Sequence, residues 1–383
     1  MLKKLTLYYL FLFLSISQIS FAQQSVQDIV ENIIIDMDQH SSAVLKQYFD
    51  KEAFANRILK GLSISSQDKR DLKTGIKIGT EQLLESIITP IPKDGYVKLL
   101  RLTEHNTEAS AVLRFDYGDK GFGFMHFLIK KDKNNIKIID IFDYMVGQYN
   151  SEKSRQLILL ALPSNSISGR LIDLATGKKQ DQEDMRRLID LSKDKKYPQF
   201  IKKYQQINPS LKKDISVLFL AMVVGQQDLT LKFYEKVLGD IAHYHGQNPK
   251  YALMLIDYYF LTKQYKKALQ SVDRSQKLIL GNKQDPALML FKANTYIAMT
   301  KYKKALNIIN QAIKLEPTLE ILYTIKVNAA VGLKDYPMIV NSCQKLTLLF
   351  GYQFNHQVFA AKPEYQDFIK STAYLKWKKT NFK

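Results

Sequence analysis

The strongest constraint on this chain is a helical pattern that recurs between Lys250 and Gly351. From Asp285 to Pro317, Met289, Ala293 and Tyr296 share one helical face, and a Thr300-Lys301-Tyr302-Lys303 turn follows. Ala305, Ile309 and Ala312 then mark a second face, so the spacing predicts two antiparallel helices. Small residues at Ala293 and Ala305 allow those helices to approach closely, and Pro317 cannot continue the second one. The preceding unit repeats the pattern with Ile256, Tyr259, Tyr265, Ala268 and Val272, and 37 residues separate Ala268 from Ala305 because about three are inserted near Gly281-Asn282-Lys283. The following unit has Val327, Ala330, Tyr336, Ile339 and Cys343, with 34 residues from Ala305 to Ile339, but without the small residue in its second helix.

The unit resembles the tetratricopeptide repeat, with Ala293, Tyr296, Ala305, Ala312 and Pro317 at five signature positions. The resemblance implies an all-α solenoid whose first helices line a concave, partner-binding side. It puts Lys250, Leu253, Asp257 and Phe260 in the groove from the first unit, Ala287, Leu290, Asn294 and Ile297 from the second, and Ile321, Thr324, Asn328 and Val331 from the third. Asp257, Asn294 and Asn328 hold one position in successive units and form a polar ladder suited to a peptide backbone, with apolar contact from Leu253, Phe260, Leu290 and Ile297. Leu253, Phe291, Ile321 and Ile325 stand where a carboxylate clamp needs cations, so a clamp is not expected.

Upstream, residues 180–249 read as two divergent hairpins without the small-residue signature. Residues 352–383, carrying Tyr365, Phe368, Tyr374 and Trp377 between Pro363 and Lys383, read as one amphipathic helix capping the open end.

The N-terminal part changes period. Residues 1–22 hold two lysines, an apolar run from Leu5 to Ile16 and Ser20-Phe21-Ala22, the pattern of a cleavable export signal ending near Ala22. Export, to the periplasm where a second membrane exists, is therefore expected. Helical spacing over Val26 to Ile88 predicts two or three helices. Tyr96–Leu102, Glu108–Tyr117, Gly121–Lys131 and Ile136–Met145 predict four antiparallel strands. Helices followed by a meander imply an α+β roll over residues 23–150, joined to the solenoid through a linker helix and loop at 151–179.

The element order, with the closing Asp140-Ile141-Phe142-Asp143-Tyr144, is similar to the cystatin-like or nuclear-transport-factor-like roll. Strand alternation puts Phe122, Phe124, His126 and Leu128 on one face, and Ile136, Ile138, Asp140, Phe142 and Tyr144 on one face of the next strand. If those faces meet inside the roll, Phe124, His126, Asp140 and Phe142 line a ligand pocket. Catalysis there would rest on a His126–Asp140 pair.

No catalytic, cofactor or metal motif emerges. His243 and His245 have no third ligand at a familiar spacing, and Cys343, the lone cysteine, falls at an apolar repeat position. The formal charge is +19, or +17 without Lys3 and Lys4, but the lysines are dispersed. Nucleic acid is therefore not expected as a partner, and an anionic envelope polymer is a secondary reading. The expected function is an exported, non-enzymatic scaffold that binds a protein or peptide, with no membrane span. The alternative is a roll that binds, or less readily converts, a small apolar ligand, with the repeats as its anchor.

Overall fold

The computed structural model describes residues 24–61, 65–132, 135–161, 179–227 and 231–381. The expected export signal at 1–22 and the expected linker loop at 163–166 lie outside the described residues. Four helices come first: α1 (Val26–Asp38), α2 (Ala43–Tyr48), α3 (Lys51–Leu59) and α4 (Ser66–Ile88). Their starts are set by short polar side chains. Ser25 and Asp28 form a reciprocal capping box on α1, Asp50 accepts from the Ala53 N–H at α3, and Ser65 accepts from the Asp68 N–H at α4.

An antiparallel meander follows, in spatial order β1 (Val97–Glu104), β2 (Glu108–Asp116), β3 (Phe122–Asp132), β4 (Asn135–Asp143) and β5 (Gln148–Tyr149). The sheet has five strands where the sequence predicts four, because two-residue β5 is too short to carry a periodic signal. One sheet face buries Ala111, Leu113, Phe115, Phe127, Ile129 and Ile141 against Val30, Ile33, Leu45, Phe54 and Leu84 of the helices. Burial of each large side chain contributes roughly 1.5–3 kcal/mol. α5 (Asn150–Ala161) then leaves the sheet edge.

The rest is helical: α6 (Lys179–Lys193), α7 (Tyr197–Gln206), α8 (Pro209–Lys212), α9 (Ile215–Gln227), α10 (Leu231–His245), α11 (Met254–Leu261), α12 (Tyr265–Leu280), α13 (Pro286–Ala298), α14 (Tyr302–Leu315), α15 (Ile321–Leu333) and α16 (Tyr336–Phe350). No described helix is long and apolar enough to cross a membrane. Ala268, Ala293, Ala305 and Ala312 are buried between paired helices, and Ile339 is equally buried where the third unit lacks a small residue.

One turn geometry recurs. Lys195, Lys263, Thr300 and Lys334 adopt left-handed φ of 55° to 58° between the two helices of their hairpins. In each, the next N–H reaches the carbonyl five residues back: Lys196 to Leu191, Gln264 to Tyr259, Lys301 to Tyr296 and Asp335 to Ala330, at 2.7–2.9 Å. This six-to-one bond satisfies a carbonyl that the helix end would leave open. A tyrosine follows two residues after each left-handed residue, at 197, 265, 302 and 336. The hairpin α6–α7 thus ends its first helix as the clear repeats do, although its packing residues have diverged.

The capping segment is not the single helix expected after Pro363. It consists of α17 (His356–Ala360), a 3-10 turn at Pro363–Tyr365, α18 (Gln366–Ile369) and α19 (Thr372–Asn381). Pro363 and the reversal at Ser371, whose hydroxyl accepts from the Tyr374 N–H, divide the chain. Phe359, Tyr365, Phe368, Tyr374 and Trp377 still close the end against Val327, Ala330, Ile339 and Cys343. Burial pushes the Cys343 thiol up to about 12, so it is packing rather than a nucleophile.

Candidate functional site

In β2, odd-numbered residues face the helices, whereas Val112 and Arg114 point to the opposite face, and the repeats cover that face. Val112, Phe124, Phe142 and Tyr144 pack into one cluster with Leu253, Ile256, Val272, Ile279, Ala287 and Leu288. Phe122 joins this cluster to the core of the next hairpins. The solenoid presents an edge here: the starts of α11 and α13 and the end of α12.

At the centre is Arg114, fully buried in the folded chain. Its Nη1 donates to Asp285 Oδ2 at 2.7 Å, and its Nη2 donates to Tyr96 Oη at 2.9 Å and to Glu316. Lys98 Nζ donates to the other Glu316 oxygen at 2.6 Å, and the Tyr96 hydroxyl donates to Glu316. The Tyr96 and Phe122 rings flank the guanidinium at 5.6 Å each. Asp285 has a second task, capping α13 through the Ala287 N–H at 2.9 Å. A buried guanidinium is tolerable only when paired, and two carboxylates from the repeats pair it. Burial would raise the Glu316 carboxyl, but hydrogen bonds from Arg114, Lys98 and Tyr96 outweigh it and hold Glu316 down to about 2. Burial raises Asp285 against the attraction of Arg114.

The seam continues at the β4–β5 turn. Gly147 has φ of 74°, and a Cβ there would press on the Tyr251 ring and the Lys250 carbonyl, so only glycine permits this approach. Lys250 Nζ lies 5.9 Å from both the Phe142 and the Tyr149 ring centres.

This arrangement redraws the expected ligand pocket. Phe124 and Phe142 are buried against the repeats rather than inside the roll. His126 pairs across the strands with Phe142 and stacks on Tyr144 at 6.3 Å, and its Nε2 has no partner among the described residues. Burial, with the nearby Arg101 charge, lowers its pKa to about 4, so it is neutral near pH 7. The expected His126–Asp140 pair does not form. Asp140 accepts from Ser151 Oγ at 2.5 Å, Arg57 Nε at 2.8 Å and two backbone N–H groups. Burial still raises the Asp140 carboxyl. Nor do Ile136 and Ile138 share a face with Phe142 and Tyr144. The register slips opposite Leu128 and Ile129, leaving Ile139 as an extra residue that flips the alternation and turns Ile136 and Ile138 toward the helices.

The predicted groove divides in two. Lys250 and Leu253 meet the roll, and Leu290 packs in a cluster that Phe122 joins. Asp257, Phe260 and Asn328 are exposed, and Asn294, Ile297 and Thr324 are half-buried. The roll is therefore the partner of one end of the first helices, and the remainder is open. Among the described residues no three His, Cys, Asp or Glu side chains cluster to hold a metal, and His245 Nε2 is 2.8 Å from the Lys213 carbonyl oxygen. Sequence reasoning missed Arg114, Asp285 and Glu316. The available signal was a single arginine inside Ala111-Val112-Leu113-Arg114-Phe115, which a buried strand admits only with a carboxylate opposite.

Residues 226–312 match the family model described as anaphase-promoting complex, cyclosome, subunit 3, a repeat family of the tetratricopeptide kind. The match runs from the end of α9 through α14. No curated protein matches the chain. The C-terminal region is thus a tetratricopeptide-like solenoid, a type of repeat that generally serves protein interaction and is generally non-enzymatic.

Proposed function

We propose that the chain is an exported, non-enzymatic scaffold that binds a protein or peptide along the open stretch of its first helices, beside the docked roll. The observation that carries this reading is the split in the groove. Asp257, Asn294 and Asn328 occupy equivalent positions on α11, α13 and α15, and among the described contacts none has its side chain in a hydrogen bond. Phe260 and Ile297 lie beside them with apolar surface uncovered. Such a row offers amide and carboxylate groups to a peptide backbone and apolar contact to its side chains. The leader at 1–22 supports export.

In-cell crosslinking of the tagged chain, compared with an Asn294→Arg, Asn328→Arg double variant, tests the groove. Asn328 is exposed and Asn294 half-buried, so far-UV circular dichroism and a thermal melt of both chains accompany the capture to show that the variant is folded. A protein captured by the native chain and lost from the variant supports the reading, and equal capture by both refutes it. N-terminal sequencing of the exported chain is expected to begin near Gln23.

A further inference from the structure

We propose that the solenoid edge formed by the α11–α12 and α13–α14 turns docks on a membrane surface rich in anionic phospholipid. Each turn, with the helix start after it, carries three exposed lysines: Lys263, Lys266 and Lys267 in the first, Lys301, Lys303 and Lys304 in the second. Among the described residues none of the six forms an ion pair. The shared turn gives both the same layout. Lys267 Nζ lies 5.6 Å from the Tyr259 ring centre, and Lys304 Nζ lies 6.0 Å from the Tyr296 ring centre. The lysines are dispersed in the sequence, but α12 packs against α13 and so brings the two sets onto one edge.

The local sequence does not offset this charge, because residues 258–272 and 286–315 contain no Asp or Glu. The carboxylates that bound the second hairpin, Asp285 and Glu316, are committed to Arg114 at the opposite edge. The sixteen residues of α12 span about 24 Å, and the roll meets the far end of that helix. On the next turn Lys334 is paired with Asp367 and Asp335 caps α16, so the unbalanced charge belongs to these two turns. Leucines select the partner. Leu261, 67% exposed, ends α11 two residues before Lys263. Leu231, 82% exposed, begins α10 at the turn end of the neighbouring hairpin, next to exposed Lys232. A soluble polyanion would use the ammonium groups and leave these leucines in water. A bilayer takes both, with headgroup phosphates meeting the lysines and the acyl boundary meeting the leucines.

Co-sedimentation of the full chain with vesicles of phosphatidylcholine alone and of phosphatidylcholine mixed with phosphatidylglycerol tests this, with far-UV circular dichroism confirming the fold of each variant. The native chain is expected to bind the mixed vesicles about tenfold or more tighter than the neutral ones. A Lys266→Gln, Lys303→Gln double variant is expected to weaken that binding about twentyfold. Leu261→Ser, which keeps every lysine, is expected to weaken it about fivefold. Equal binding to both vesicles, binding to neither, or unchanged binding in the folded lysine variant would each overturn the assignment. Native-strength vesicle binding by Leu261→Ser would overturn it too, since charge alone would then account for the edge, as for a soluble polyanion site.

Discussion

Both faces of the sheet bury apolar side chains, but they solve different problems. The helix-side face, with Leu113, Phe115 and Phe127 against Ile33, Leu45 and Phe54, is made of residues from within the N-terminal part, and its core cluster is apolar. The repeat-side face has Arg114 at its centre and meets Asp285 and Glu316, 171 and 202 residues further along the chain. Apolar packing suffices to close a core. A charged pair at fixed positions also specifies which edge of the solenoid is seated and in what register, because a shifted docking leaves the guanidinium buried and unpaired. The comparison teaches that the roll and the repeats are one folded unit, with part of the expected binding groove consumed by the chain itself.

Four changes probe the contrast. The largest effect is expected at the helix-side core: Phe127→Ala should cost about 4 kcal/mol in urea unfolding, since a fully buried ring leaves a cavity. Arg114→Met should cost about 3 kcal/mol by the same measurement, because it strands two buried carboxylates. A loss below about 0.5 kcal/mol would mean that the seam is solvated. Gly147→Ala should cost about 2 kcal/mol, combining a left-handed φ with a collision against Tyr251.

The smallest change concerns pH. His126 has a usual value of 6.5 and is held at about 4 in the fold. Below pH 6.5 the unfolded chain gains a proton that the folded chain refuses until about pH 4. Stability present above pH 6.5 is therefore lost as pH falls through this window, by up to about 2 kcal/mol for a partly buried ring. Glu316, held at about 2, adds its own loss only below its usual value near 4.5, while the raised Asp140 and Asp285 carboxyls act with the opposite sign, so the histidine is read from the difference between the native chain and His126→Gln. Thermal melts from pH 6.5 to 4.5 should slope less in His126→Gln than in the native chain.

The strands of the sheet and the three clear hairpins were legible because their signals are local. Period-two alternation in β2 and β3, and alanines at helical spacing with a closing proline, fix each element without reference to distant residues. The repeat-side face was not legible for the opposite reason. Phe124, His126 and Phe142 read as lining a pocket because nothing nearby says that another domain covers them, and the extra residue Ile139 breaks the parity used to place Ile136 and Ile138. The shared turn of α6–α7 was within reach of the sequence. Tyrosines at 197, 265, 302 and 336 mark it, but a left-handed lysine or threonine carries no signature comparable to glycine.

The seam between sheet and repeats is tested most directly by a double-mutant cycle on Arg114→Met and Glu316→Gln, read by urea unfolding of the full chain. The two residues interact only if the roll is seated on the solenoid. The predicted result is a coupling energy of about 2 kcal/mol. Additivity within about 0.5 kcal/mol would contradict the docked arrangement and return the whole groove to an outside partner.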